Sequence, residues 1–300
     1  MTQRRAKGSA PVQLYSGHAY RFLEKLGCKP NDQLHFLLVS DSKGKNRGHS
    51  FATELPAITL RKPFRSLEKL APRIKLFSRR NKLVNVLWLN KKGYAVFVEI
   101  NGRESEKDSP FNAIRAQFID VDLNKISARC KTKEQIQQKI DAILSDPSEQ
   151  LQSITLTQNK NGQYQLLAQR TRQRVAELKK QFLNKHGERI KDTMIVETKN
   201  GYHIYWIMQD GNINKFVPIQ KALAQTFDSD PMITNLSRVM RIPGFYHMKN
   251  PESPYMVKVI QWGREKPFTQ EELIKRLELK PAVTSKLKQK RRKLHAHKTS

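Results

Sequence analysis

The chain has 300 residues, 38% of them hydrophobic, which is enough for one large or two small domains with a packed core. Its 56 Lys and Arg against 27 Asp and Glu leave a formal net charge of +29, more than solubility needs, so a polyanion and in particular nucleic acid is the expected partner. No run of 18 apolar residues exists, residues 1–7 lack the apolar core of a signal peptide, and Cys28 and Cys130 are too few for a zinc ribbon; a membrane span and a structural zinc site are excluded, and a cytoplasmic location is expected.

In chain order, residues 1–15 read as a flexible basic arm, and an amphipathic helix follows over 17–26, stopped by Gly27. Apolar runs predict strands over 34–40, 82–89 and 94–101, the last two joined as a hairpin through Lys91-Lys92-Gly93. Between the first two lies a basic segment that includes Arg61, Lys62, Arg65, Arg73, Arg79 and Arg80 with a single acid, Glu68, and it is a candidate for phosphate-backbone contact. The strand Phe118-Ile119-Asp120-Val121-Asp122 comes next. A helical excursion over about 126–192 then has helical spacing at 133–144 and 164–185, the second with Lys179 away from its apolar side. Strand pattern resumes at 194–197, turns at Lys199-Asn200-Gly201 and continues over 202–208, a hairpin by its turn chemistry. A helix over 215–227, a segment from Asp230 to Arg241 halted by Pro243-Gly244, and a helix opened by the Thr269/Glu272 capping box complete the ordered part. Residues 281–300 form a disordered polybasic tail centred on Lys290, Arg291, Arg292 and Lys293, a second nucleic-acid-binding candidate.

Alternation along a strand turns Asp120 and Asp122 to one face while Ile119, Val121 and Leu123 enter the core. Two carboxylates side by side repel unless a cation lies between them, and the oxygen-preferring ion that keeps only one or two protein carboxylates plus phosphate oxygens is Mg²⁺ or Mn²⁺. His203 stands just beyond a glycine turn whose backbone N–H groups and Thr198 hydroxyl are placed to meet phosphate oxygens. Asp230-Pro231 also reads as an ordinary helix start, which would set Arg238 and Arg241 on one helix face; read functionally, these arginines and Lys249 clamp a triphosphate.

The ordered trio Asp120/Asp122, Gly201 with His203, Tyr205 and Trp206, and Asp230 with Arg238, Arg241, Pro243 and Gly244 resembles the archaeo-eukaryotic primase superfamily. Within it the chain is most similar to RepB-like plasmid and phage replication primases and primase-polymerases, over residues 82–249. The resemblance implies an α+β fold in which an RRM-like antiparallel catalytic sheet joins an N-terminal α/β unit, with one catalytic domain over 16–280. It implies Asp120, Asp122 and Asp230 as ligands of two divalent ions, His203 as the phosphate-contacting histidine, and Thr198, Lys199, Arg238, Arg241 and Lys249 around an NTP or dNTP. Asp228 competes with Asp230 for the third carboxylate. Thr198-Lys199 stands where the family usually has Ser-Gly, and residues 245–248 replace its usual Thr and Asn.

The function so implied is DNA-templated primer synthesis for a plasmid, phage or other mobile element, on a single-stranded DNA template. No GxxxxGK(S/T) is present, so a helicase or initiator would be a separate partner. Two other readings are a non-catalytic DNA-binding replication initiator, for which charge alone suffices, and a metal-dependent nuclease or relaxase. The His295/His297 pair that would serve the latter sits in the tail, without the fixed surroundings a metal ligand needs.

Overall fold

The computed structural model describes residues 16–28, 33–34, 36–40, 53–54, 58–59, 75–77, 83–85, 90–91, 93–101, 114–159, 161–250 and 253–282. Helix α1 (Ser16–Lys25) precedes strands β1 (Gln33–Leu34), β2 (Phe36–Ser40), β3 (Thr53–Glu54), β4 (Ile58–Thr59), β5 (Lys75–Phe77), β6 (Leu83–Asn85) and β7 (Tyr94–Glu99). Then come β8 (Ile114–Asp122), β9 (Lys125–Cys130), α2 (Lys133–Leu144), a 3-10 turn at Pro147–Glu149, β10 (Leu151–Gln158), β11 (Tyr164–Arg170) and α3 (Arg172–Ile190). The chain continues through β12 (Met194–Glu197), β13 (Gly201–Gly211), α4 (Ile213–Phe227), β14 (Val239–Arg241), β15 (Tyr246–His247), β16 (Tyr255–Met256), β17 (Lys258–Gln261) and α5 (Gln270–Arg276).

The central sheet has the order β17-β12-β13-β8 and is antiparallel throughout. A second antiparallel sheet, β14-β7-β2-β3, ties the N-terminal part to the chain after α4. The fold is therefore the expected α+β arrangement of helices on antiparallel sheets. β13 is buried on both faces because each has an apolar cover. Tyr202 meets Phe182 of α3 at 5.9 Å between ring centroids and Trp206 meets Phe227 of α4 at 5.5 Å, while on the other side Tyr205 lies 5.4 Å from Phe22 of α1 and 6.0 Å from Phe118 of β8. Such aromatic contacts add to the area they bury, which makes this layer the centre of the core.

β8 is an edge strand, and its outward backbone groups must find partners away from water. Two buried amides act as a surrogate strand. Asn101 donates to the Ala116 carbonyl (3.1 Å) and accepts from the N–H groups of Arg115 and Ala116; Gln220 of α4 donates to the Phe118 carbonyl (2.8 Å) and accepts from Phe118 N–H (3.0 Å). The next outward carbonyl, that of Asp120, accepts from the Asp230 backbone N–H at 3.2 Å.

Several expectations are corrected. Residues 164–170 are not the start of a helix. They form β11, paired on both sides in a three-stranded antiparallel sheet β10-β11-β9, so the excursion over 126–192 is mixed rather than helical. The period-2 burial of Leu166 and Ala168 wins over the helical spacing of Leu167 with Val175, and the helix starts only at Arg172, capped by Thr171. β6 and β7 are not a hairpin: β6 pairs with β5, and β7 runs between β2 and β14. Asp230-Pro231 starts no helix, since Met232 N–H donates to Asp230 Oδ1 (2.9 Å) in a turn, and Arg238 and Arg241 lie beside and within strand β14 instead of on a helix face. The candidates Arg61, Lys62, Arg65, Arg73, Arg79, Arg80 and Lys290–Lys293 lie outside the described residues. Among the described residues no helix is long and apolar enough to cross a membrane.

Candidate active site

The β8/β13 register builds the site's floor. Asp120 pairs directly with His203, and Gly201 with Asp122, so both acids and the histidine share one sheet face. The burial pattern agrees, with Ile119 and Val121 buried and Asp120 and Asp122 half-buried. Gly201 is required here: a Cβ at this position would lie 1.7 Å from the Val121 carbonyl oxygen, so only glycine lets the hairpin pack onto β8.

Asp120 is the electrostatic centre. Burial first, and then the charges of Asp122 and Asp230, lift its carboxyl from 3.8 to about 7, although Arg238 and Lys125 pull the other way. His203 Nε2 faces Asp120 Oδ1 at 3.6 Å. Burial, then Arg241 and Arg238, lower the histidine to about 3, so it is neutral across the physiological range. Its Nδ1 lies 3.4 Å from the Tyr205 hydroxyl, whose ionisation burial and then Asp120 push well above the usual value. With a carboxylate before Nε2 and a protonated phenol at Nδ1, the tautomer that suits both contacts carries its proton on Nε2.

The other two carboxylates are each held by a cation. Asp122 Oδ2 is 3.3 Å from Lys125 Nζ and its Oδ1 accepts Asn124 N–H at 3.0 Å. Asp230 Oδ2 is 3.5 Å from Arg238. Among the described residues no group of three or more His, Cys, Asp or Glu side chains is arranged to hold a metal ion. The donor chemistry, carboxylate oxygens alone, is nonetheless the kind a hard divalent ion takes. Three carboxylates within electrostatic reach leave Asp120 half-neutralised, and Lys125 and Arg238 occupy the counter-ion role that a hard cation with oxygen ligands would take over. Asp228 is exposed and caps α4 in the left-handed region (φ 49°), so Asp230, tied to Asp120 through its backbone, is the acid that joins the pair.

The turn between β12 and β13 is tighter than expected. Thr198 N–H donates to the Gly201 carbonyl (2.9 Å) and Gly201 N–H donates to the Thr198 hydroxyl oxygen (3.1 Å), so these two N–H groups and that acceptor are used inside the turn. Lys199 follows in the bend, and Lys249 stands exposed in the bend after β15. Arg241 reaches toward His203 while its guanidinium lies 4.7 Å from the centre of the Phe97 ring.

Two residues were missed by sequence reasoning. Tyr205 was legible only as part of a motif. Lys179 gave no signal, since its spacing placed it off the apolar stripe of α3; it is buried, donating to the Thr198 carbonyl (2.6 Å) and Glu197 Oε1 (3.1 Å) with the Tyr255 hydroxyl at 3.3 Å. A buried ammonium thus stands directly behind the turn, its pKa lowered by burial but supported by Glu197.

Comparison with known proteins gives one family match: the model described as RepB DNA-primase N-terminal domain matches residues 116–290, overlapping the part of the chain that carries the carboxylates and the histidine. No curated protein sequence matches the chain. Among solved structures it is similar to primase RepB′ (TM-score 0.42, 14% identity, 94% of this chain and 66% of that one) and to the catalytic domain of primase RepB′ in complex with initiator DNA (TM-score 0.42, 13% identity, 92% and 96%). It is also similar to the AEP domain of the cyanophage S-2L primase-polymerase (TM-score 0.41, 10% identity, 89% and 100%). The chain thus spans about two thirds of the longer RepB′ chain.

Proposed function

Because the chain belongs to the RepB DNA-primase N-terminal domain family, we propose that it is a DNA-templated nucleotidyltransferase that makes primers for the replication of a plasmid, phage or other mobile element. The observation that carries this reading is the pairing of Asp120 with His203 across β8 and β13, with the Asp230 amide bonded to the Asp120 carbonyl. It supports a site where three carboxylates and a neutral imidazole face one substrate.

Asp120, Asp122 and Asp230 would hold two divalent ions, Mg²⁺ or Mn²⁺. When bound, such ions acidify an attacking 3′-hydroxyl and neutralise the triphosphate. The protein's own part is positioning and charge. His203, neutral and protonated on Nε2, can donate to a phosphate oxygen without a counter-charge to desolvate. Arg238 and Arg241 flank it with fixed positive charge, and Lys199, Thr198 and Lys249 complete the proposed nucleotide site. Arg238 would exchange Asp230 for the triphosphate as the carboxylates turn to the ions. Single-stranded DNA is the proposed template, and a helicase or initiator would act as a separate protein.

The test is primer synthesis on circular single-stranded DNA with labelled nucleotides and Mn²⁺ or Mg²⁺, comparing wild type with Asp120→Asn. Short products from the wild type alone support the reading. If neither protein makes product while both bind DNA equally, the catalytic assignment fails and the initiator reading takes its place; DNA nicking without nucleotides would instead favour a nuclease.

A further inference from the structure

The β10-β11-β9 sheet continues directly from the strand that carries Asp120 and Asp122, and among the described residues one of its faces has no cover. On the inner face Leu166 and Ala168 are buried beneath α2, whose Ile136 is buried as well. On the outer face Lys125, Ser127 and Arg129 alternate along β9, all exposed, with Gln165 of β11 beside Arg129 and Thr157 of β10 beside Gln165. None of the outward positions on the three strands is acidic or aromatic. The sheet is clamped to the site: Leu123 N–H donates to the Asn200 carbonyl (2.8 Å), Arg170 N–H to the Asn124 carbonyl (2.9 Å) and the Arg170 guanidinium to the Leu123 carbonyl (2.9 Å). Lys125, the first residue of this face, is the one paired with Asp122.

We propose that this face is a track for single-stranded DNA entering or leaving the carboxylate site. Its chemistry fits a phosphodiester backbone: two cations about 13 Å apart along β9, hydroxyls and amides around a half-buried Leu167 that lies between Ser127 and the exposed Thr155, and no carboxylate to repel the strand. The surface is three strands wide, about 10 Å, and without aromatic rings it offers no stacking for bases, so binding is independent of sequence. The chain's own terminal segments, 1–15 and 283–300, are basic without an acid and are poor occupants of a basic face. Lys125 at the head of the track, released when a divalent ion claims Asp122, would receive the first phosphate; this last step rests on the primase reading, but the track itself does not.

The experiment is fluorescence anisotropy of a labelled single-stranded DNA oligonucleotide on the full chain, in chelator and without nucleotides. It compares Arg129→Glu/Thr155→Glu with Gln138→Glu/Lys139→Glu, which makes the same charge change on exposed positions of α2. All four substitutions are at exposed positions, and circular dichroism checks folding. The track variant is expected to bind about tenfold more weakly, with the salt slope reduced by about 0.7 for one lost phosphate contact, and the α2 variant less than twofold. Equal weakening in both variants, no weakening in either, or a change confined to self-association or to RNA overturns the proposal. If the wild type makes no primers yet the track variant still loses DNA binding, the primase reading falls and the track stands. If primers are made and the variants do not differ, the track falls alone.

Discussion

Replacing Asp120 by Asn should stabilise the metal-free protein while abolishing primer synthesis. Asp120 is lifted from 3.8 to about 7 by burial and by Asp122 and Asp230, so above pH 7 the fold carries an ionised carboxylate that it disfavours. A displacement of that size corresponds to about 4 kcal/mol. The side chain is 30% exposed, and solvent screening brings the expected penalty to about 2 kcal/mol. The sign follows from proton binding. With the folded value above the unfolded one, the native state gains its full contribution below about 3.8 and loses it as pH rises through 7.

Asn keeps the shape and removes the charge. In chelator at pH 8, Asp120→Asn should therefore unfold with about 2 kcal/mol more stability than wild type, or about 3 °C higher in Tm for a chain of this length. The gap should close as pH falls from 7 to 4. His203 acts in the opposite sense: its folded value is lowered, so its contribution is present above 6.5 and lost as pH falls toward 3. That loss is shared by both proteins and cancels in the difference. Mn²⁺ should raise the Tm of the wild type and leave the variant nearly unmoved. Urea and thermal melts at pH 8, 6 and 4.5 with and without Mn²⁺ give the whole comparison. A variant no more stable than wild type at pH 8, or a gap that does not change with pH, would refute the like-charge reasoning.

Gly201→Ala places a methyl 1.7 Å from the Val121 carbonyl oxygen, a clash with backbone that no rotamer relieves; a loss of roughly 3 kcal/mol or more is expected in denaturant melts. Lys179→Met removes the ammonium behind the turn and, among the described residues, leaves Glu197 with Lys258 at 3.4 Å as its remaining ion-pair partner; stability should fall by about 2 kcal/mol, and steady-state assays should show a higher nucleotide KM with kcat little changed. Tyr205→Phe deletes the hydroxyl at His203 Nδ1 and frees the ring to adopt the other tautomer, so kcat should drop about tenfold with nucleotide KM moved less than threefold. A Tyr205→Phe enzyme with wild-type kcat would show that the phenol does not orient the imidazole.

What could be read from the sequence is what local rules decide. Asp120 and Asp122 share a face because a strand has period 2, and the glycine turn sets His203 near the start of the second strand of its hairpin; that it lands opposite Asp120 comes from the pairing of β13 with β8, which no local rule fixes. Asp230 could be picked out as an acid near two arginines, but not placed. Its location depends on the open edge of β8, where the alternate carbonyls of Ala116, Phe118 and Asp120 are bonded by Asn101, Gln220 and the Asp230 amide, residues that lie from 15 to 110 positions away along the chain. Gln220 also donates to the Ile233 carbonyl at 3.0 Å, so the same buried amide that completes the sheet holds the loop carrying Asp230. The third carboxylate is thus positioned by the need to satisfy an edge strand, a tertiary demand that leaves only an unremarkable glutamine on α4 as its trace. The same holds for β11, where helical spacing lost to two flanking strands, and for Lys179, whose burial follows from the Glu197 and Thr198 oxygens that meet it.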